Sequence, residues 1–102
     1  MPRLDQLQQL LAAEPTDAFL RYGVAMELAK LDRFAESLDQ FNQLLQQHPN
    51  YVPAYFMAGR TCEQNADIPA AKIFYTRGIA VANATGDSHA AGEIASALAA
   101  IE

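Results

Sequence analysis

Leu4-Asp5-Gln6-Leu7-Gln8-Gln9-Leu10-Leu11 returns 34 residues later as Leu38-Asp39-Gln40-Phe41-Asn42-Gln43-Leu44-Leu45, with six of the eight pairs identical. Under the same shift Pro15 meets Pro49, Tyr22 meets Phe56, Ala25 meets Gly59, Phe34 meets Ile68, Ser37 meets Ala71 and Phe41 meets Tyr75. Identity is low in the aromatic and small-residue pairs, yet size and polarity are kept. Self-similarity at a fixed period marks a chain built from stacked copies of one supersecondary unit, and this period suits a helix–turn–helix.

The composition agrees. Alanine is about a fifth of the chain, Leu and Gln are plentiful and β-branched residues are few, which favours helix. Breakers recur at Pro15-Thr16-Asp17, Asp32-Arg33, Pro49-Asn50, Asn65-Ala66-Asp67 and Thr85-Gly86-Asp87. They divide the chain into six helical segments with no strand between them. Thr16, Asn50, Asp67 and Asp87 precede apolar-periodic stretches, where a short polar side chain can accept from unpaired helix N–H groups. Pro53 and Pro69 fall in first turns, where the missing N–H costs nothing. The expected fold is all-α, about six short antiparallel helices. Leu4, Leu7 and Leu11 form the inward stripe of the first, and Ala91, Ile94, Leu98 and Ile101 that of the last.

These residues resemble the tetratricopeptide repeat family, in its short bacterial form, whose pattern is W-x2-L-G-x2-Y, then A-x3-F, then P. The first copy places Arg21, Val24, Ala25 and Leu28 in those slots, followed by Ser37, Phe41 and Pro49. The second places Tyr55, Ala58, Gly59 and Cys62, then Ala71 and Tyr75. Arg21 replaces the tryptophan, and Asn83 the closing proline, which predicts a longer, irregular turn through Asn83-Ala84-Thr85-Gly86. Residues 3–13 look like the second helix of a missing repeat, 16–49 and 50–85 like two full repeats, and 87–101 like a closing helix, all in one domain. The resemblance implies a right-handed superhelix of hairpins whose first helices line a concave face where protein segments bind.

Seven Lys and Arg against twelve Asp and Glu leave a net charge of −5, which argues against nucleic acid and anionic membranes as partners. No apolar run approaches the ~20 residues of a membrane span. The opening Met1-Pro2-Arg3-Leu4-Asp5 has no signal-peptide core, so the expectation is a cytoplasmic protein. The single Cys62 excludes an internal disulfide and reads as a small core residue. The five glycines are scattered, so no phosphate-cradling loop forms. His89 and Glu93, four apart on one helix, could share a metal, but two ligands do not make a site. His48 reads as a partner for the C-terminal end of its own helix, and Asn83-Ala84-Thr85 matches a glycosylation sequon. No catalytic constellation and no cofactor are expected.

What remains is surface. With Val24, Ala25, Leu28, Ala58, Gly59 and Cys62 assigned to the core, the other side of residues 17–31 carries Phe19, Tyr22, Met26 and Lys30. The matching side of residues 51–65 carries Pro53, Phe56, Met57, Arg60 and Gln64. Rings and methionines rimmed by cations suit an apolar protein segment, so the expected function is a non-catalytic adaptor binding a peptide or protein in a concave groove. The alternative is a scaffold that homo-oligomerises through the same surface. Tyr22, Met26 and Met57 stand where the family's carboxylate-clamp subtype keeps Lys, Asn and Arg, which disfavours binding of chaperone C-terminal tails.

Overall fold

The computed structural model describes residues 2–102; Met1, the first residue of the stretch read for a leader, lies outside them. Six helices follow one another: α1 (Arg3–Ala13), α2 (Ala18–Lys30), α3 (Phe34–Gln47), α4 (Val52–Gln64), α5 (Ile68–Ala84) and α6 (Ser88–Ala99). No strand occurs among the described residues. Each helix packs on its neighbours in sequence. In addition α2 reaches α4 directly, with no comparable approach of α3 to α5. The first helices of the two full hairpins, α2 and α4, thus lie side by side and line a pocket between them, and this is the inner side of the stack.

The turns explain the segment lengths. Asp32 and Ala66, one repeat apart, both take a left-handed conformation, at φ 58° and 59°, and Gly86 does so at φ 78°. Each is followed by a backbone N–H that reaches five residues back: Arg33 to the Leu28 carbonyl, Asp67 to Cys62 and Asp87 to Ala82, at 2.8–2.9 Å. This closure satisfies carbonyls that the helix end leaves open. The turn after the second repeat is thus tight. Without a proline at Asn83, α5 continues through Ala84 and the reversal waits for Gly86, which corrects the expected irregular turn.

Helix starts are partly as anticipated. Asp67 and Asp87 cap α5 and α6, accepting from Ala70 N and Ala90 N. For α2 the cap is Asp17, which accepts from Leu20 N at 2.9 Å, and not its neighbour Thr16. Asn50 caps nothing; α4 starts after Tyr51 without a side-chain cap, with Pro53 in its first turn.

Small residues set the spacing between helices. Ser37 and Ala25 are both fully buried, and the Ser37 hydroxyl donates to the Ala25 carbonyl at 2.7 Å, joining α3 to α2. At Gly59 a Cβ would overlap the Tyr75 ring, so α5 lies against α4 only because that atom is absent. Phe41 and Tyr75, both fully buried, fill equivalent places in the two repeats. The apolar interior has two parts: a main one running from Ala25 and Phe41 to Ile94, and a smaller one of Leu4, Leu11, Val24 and Leu28 between α1 and α2. Leu7 is half-buried against the smaller part, and Leu98 and Ile101 against the main one.

Arg21 departs most from the family pattern. It is 7% exposed; its guanidinium donates to Gln40 Oε1 at 2.6 Å, to Gln43 Oε1 at 3.0 Å and to the Pro15 carbonyl at 2.9 Å, while its Nε has no partner. It ties the α1–α2 turn to α3 from the slot expected to hold a bulky ring. His48 acts nearby. Its Nε2 lies 2.9 Å from the Thr16 carbonyl, so it reaches across to the α1–α2 turn rather than to its own helix end.

Candidate functional site

The helical period puts Phe19, Tyr22, Met26 and Lys30 on one side of α2 and Phe56, Met57, Arg60 and Gln64 on the matching side of α4. Both sides face the hollow of the stack, which contains three adjoining pockets. The first, about 280 Å³, lies between α1 and α2 and is lined by Arg3, Leu7, Phe19, Tyr22, Gly23, Met26, Glu27 and Lys30. The middle pocket, about 150 Å³, lies between α2 and α4, lined by Met26, Ala29, Lys30, Met57, Arg60, Thr61 and Gln64. The third, about 400 Å³, lies between α4 and α6 with Tyr75 reaching in from α5. Met26 and Lys30 are shared by the first two pockets, and Arg60 and Gln64 by the last two. The three form one continuous track.

Eight of the nine residues singled out from sequence line this track. Pro53 lines none of the three pockets and is exposed in the first turn of α4. The surface is also less free than expected. Tyr22, Met26, Phe56 and Met57 are half-buried and pack on the main core. Tyr22 meets Phe41 edge-on at 6.2 Å and Tyr51 at 5.5 Å, while Phe56 meets Tyr75 edge-on at 6.2 Å. These rings have internal partners after all, because α3 and α5 present Phe41 and Tyr75 to them, Tyr75 lying over the space left at Gly59. Phe19 stands clear of the core, 75% exposed.

Other lining residues were not anticipated. Arg3 and Leu7 of α1 close one end, and Glu63, Tyr75, Glu93, Ser96, Ala97 and Ala100 build the other. The spacing that pointed to Leu7 and Tyr75 assigned both to packing only.

Charge is distributed unevenly along the track. Glu27 Oε2 is shared by Arg3 Nε at 3.5 Å and Lys30 Nζ at 3.8 Å, one carboxylate between two cations. The middle pocket is lined by Lys30 and Arg60 and by no carboxylate among the described residues. The third pocket has Glu63 and Glu93 against Arg60. Glu63 accepts a short hydrogen bond from the Tyr75 hydroxyl, and burial together with that carboxylate holds the Tyr75 phenol well above its ordinary range. Tyr22 is also raised, by burial first and by Tyr51 second.

The sites weighed for other chemistry have ordinary surroundings. Cys62 is fully buried, and burial, with Asp67 second, pushes its thiol up to about 11, the direction of an inert core thiol. His89 Nε2 lies 2.8 Å from Glu93 Oε1, one turn apart on α6, and both side chains are exposed. No group of three or more His, Cys, Asp or Glu that could hold a metal ion occurs among the described residues. No helix among them is long and apolar enough to cross a membrane.

No family model and no curated protein matches the sequence. Solved structures do. A Bordetella parapertussis protein solved in solution is 23% identical, covering 99% of this chain and 88% of that one, with a TM-score of 0.86. PcrH, crystallised in complex with the chaperone binding region of PopD, is 19% identical, covering 96% of this chain and 74% of that one, with a TM-score of 0.88. At those identities the likeness concerns the fold. The solution structure of a tetratricopeptide repeat domain protein from Salinibacter ruber is 32% identical, covering 86% of this chain and 89% of that one, with a TM-score of 0.81. With the 34-residue period, the paired helices and the small residues that seat them, this relationship establishes that the chain belongs to the tetratricopeptide repeat family.

Proposed function

We propose that the protein is an adaptor that binds a segment of another protein along the inner face of its helical stack. The observation that supports this reading is the continuous track of three pockets, lined by eight residues whose side chains the helical period already set on one face of α2 and α4. Apolar floor, polar rim and shared walls are the anatomy of a protein-recognition surface. Methionine and aromatic side chains supply contact area at such surfaces. PcrH offers an analogy at the level of fold, since its structure is a complex with a region of a partner protein. Fold alone does not assign function, so the weight rests on the track.

Site-specific photo-crosslinking tests the reading. A crosslinker at Phe19 or Met57, inside the hollow, should capture a discrete protein from a lysate of the source cells. The same crosslinker at Ile73, exposed on the outer side of α5, should not. With the captured segment made as a peptide, Phe19→Ala should weaken binding by roughly tenfold or more, as the truncation of a central aromatic anchor does. This residue tests recognition cleanly because it packs on little of the fold. Equal capture from inner and outer positions would reject the groove as the binding surface.

A further inference from the structure

The chain has twelve acidic residues against seven basic ones, yet the middle of the track is cationic. Its pocket is lined by Lys30 and Arg60 together with Met26 and Met57. The nearest carboxylate in the α1-side pocket, Glu27, is already divided between Arg3 and Lys30. Toward α6 the sign reverses: Glu63 and Glu93 outnumber Arg60 on the wall of the third pocket, Glu93 standing beside the exposed His89. At the opposite end the lining is mostly apolar, with Leu7, Phe19, Tyr22 and Met26. The order along the track is therefore apolar, positive, negative.

We propose that the segment bound here carries the complementary order: an apolar anchor, then an acidic side chain, then a basic one. This deepens the groove reading and rests on it. The anchor occupies the pocket between α1 and α2, the acid sits between Lys30 and Arg60, and the base lies toward Glu93. Complementary charge selects partner and register more than it adds affinity, since like charges placed together are strongly disfavoured. The acid belongs to an internal side chain, not to a chain terminus. The track continues on both sides of the middle pocket, and a terminal carboxylate held there would leave the third pocket, the largest of the three, without an occupant.

The test uses fluorescein-labelled, C-terminally amidated peptides with a leucine anchor, a central Glu and a distal Lys, read by fluorescence anisotropy at low salt. Exchanging the central Glu for Lys should weaken binding about tenfold, and exchanging the distal Lys for Glu should weaken it by a smaller factor, about threefold. Both differences should shrink in high salt. Lys30→Glu with Arg60→Glu should invert the preference at the centre, and Glu93→Lys should restore the peptide with distal Glu. All three side chains are largely exposed, and a retained helical spectrum verifies that the variants fold. If every peptide binds equally and Phe19→Ala still weakens them all, the charge order is overturned and the groove stands. If no peptide binds, both are overturned.

Discussion

Arg21 shows how one side chain can replace the ring that its slot leads one to expect. Its aliphatic stem is buried while its head serves Gln40, Gln43 and the Pro15 carbonyl, the dual character of a long cationic side chain. All three partners are neutral, and Nε has none, so the group is costly to bury and costlier to remove piecemeal. Arg21→Ala should cost about 2–3 kcal/mol, read by urea unfolding, through lost packing and stranded acceptors. Arg21→Met, which keeps most of the stem without the charge, should cost clearly less. A sequence pattern marks this position as an exception but not its burial, because arginine is ordinarily a surface residue and its two glutamine partners lie far along the chain. Asp17 and Thr16 illustrate a smaller ambiguity of the same kind. Both are good caps, and a one-residue difference in where α2 begins decides between them.

At the scale of the hairpins, the two left-handed residues one repeat apart carry a cost that glycine would not. Asp32 is of a type that visits this region readily. Ala66 is not. Ala66→Gly should stabilise the protein by about 0.5 kcal/mol, the relief of backbone strain less the entropy that glycine loses on folding. Gly86→Ala should destabilise it by about 1 kcal/mol for the converse reason. Thermal unfolding of the two variants beside the parent tests both signs. Much at this scale was legible in the sequence: the helix pairs follow from the 34-residue shift, and their close seating from Ala25, Ser37, Gly59 and Ala71. Gly78 was not legible. A Cβ there would come within 2.7 Å of the Tyr55 Cβ and 3.1 Å of the Ile94 side chain, yet it lies outside the recurring pattern and nothing local sets it apart. The groove was half legible for a related reason. Periodicity assigns a side chain to a face of its helix, which located eight lining residues. Whether Tyr22 and Phe56 stand free or lean on Phe41 and Tyr75 depends on helices that the period alone does not position.

Over the whole molecule, contacts run almost entirely between successive helices, so stability is close to a sum of neighbouring interfaces. The interface of α1 is the exception in composition, because its leucines form an apolar cluster apart from the main core. Local opening of α1 need not disturb the rest, and its amides should exchange with solvent faster than those of α4 and α5, as expected where stability is unevenly distributed. Adding the anchor-bearing peptide should slow exchange in α1 more than in α5, measured by hydrogen–deuterium exchange with mass spectrometry. Unchanged rates in α1 at saturating peptide would contradict this. The reason lies in Arg3 and Leu7, which belong at once to that detachable helix and to the wall of the first pocket. Ordering of the first helix and occupancy of the groove are thereby linked equilibria, each favouring the other by the same free energy. Clipping or loosening α1 would thus act like a dimmer on affinity, and a tightly held client would in turn shield that end of the molecule from proteases.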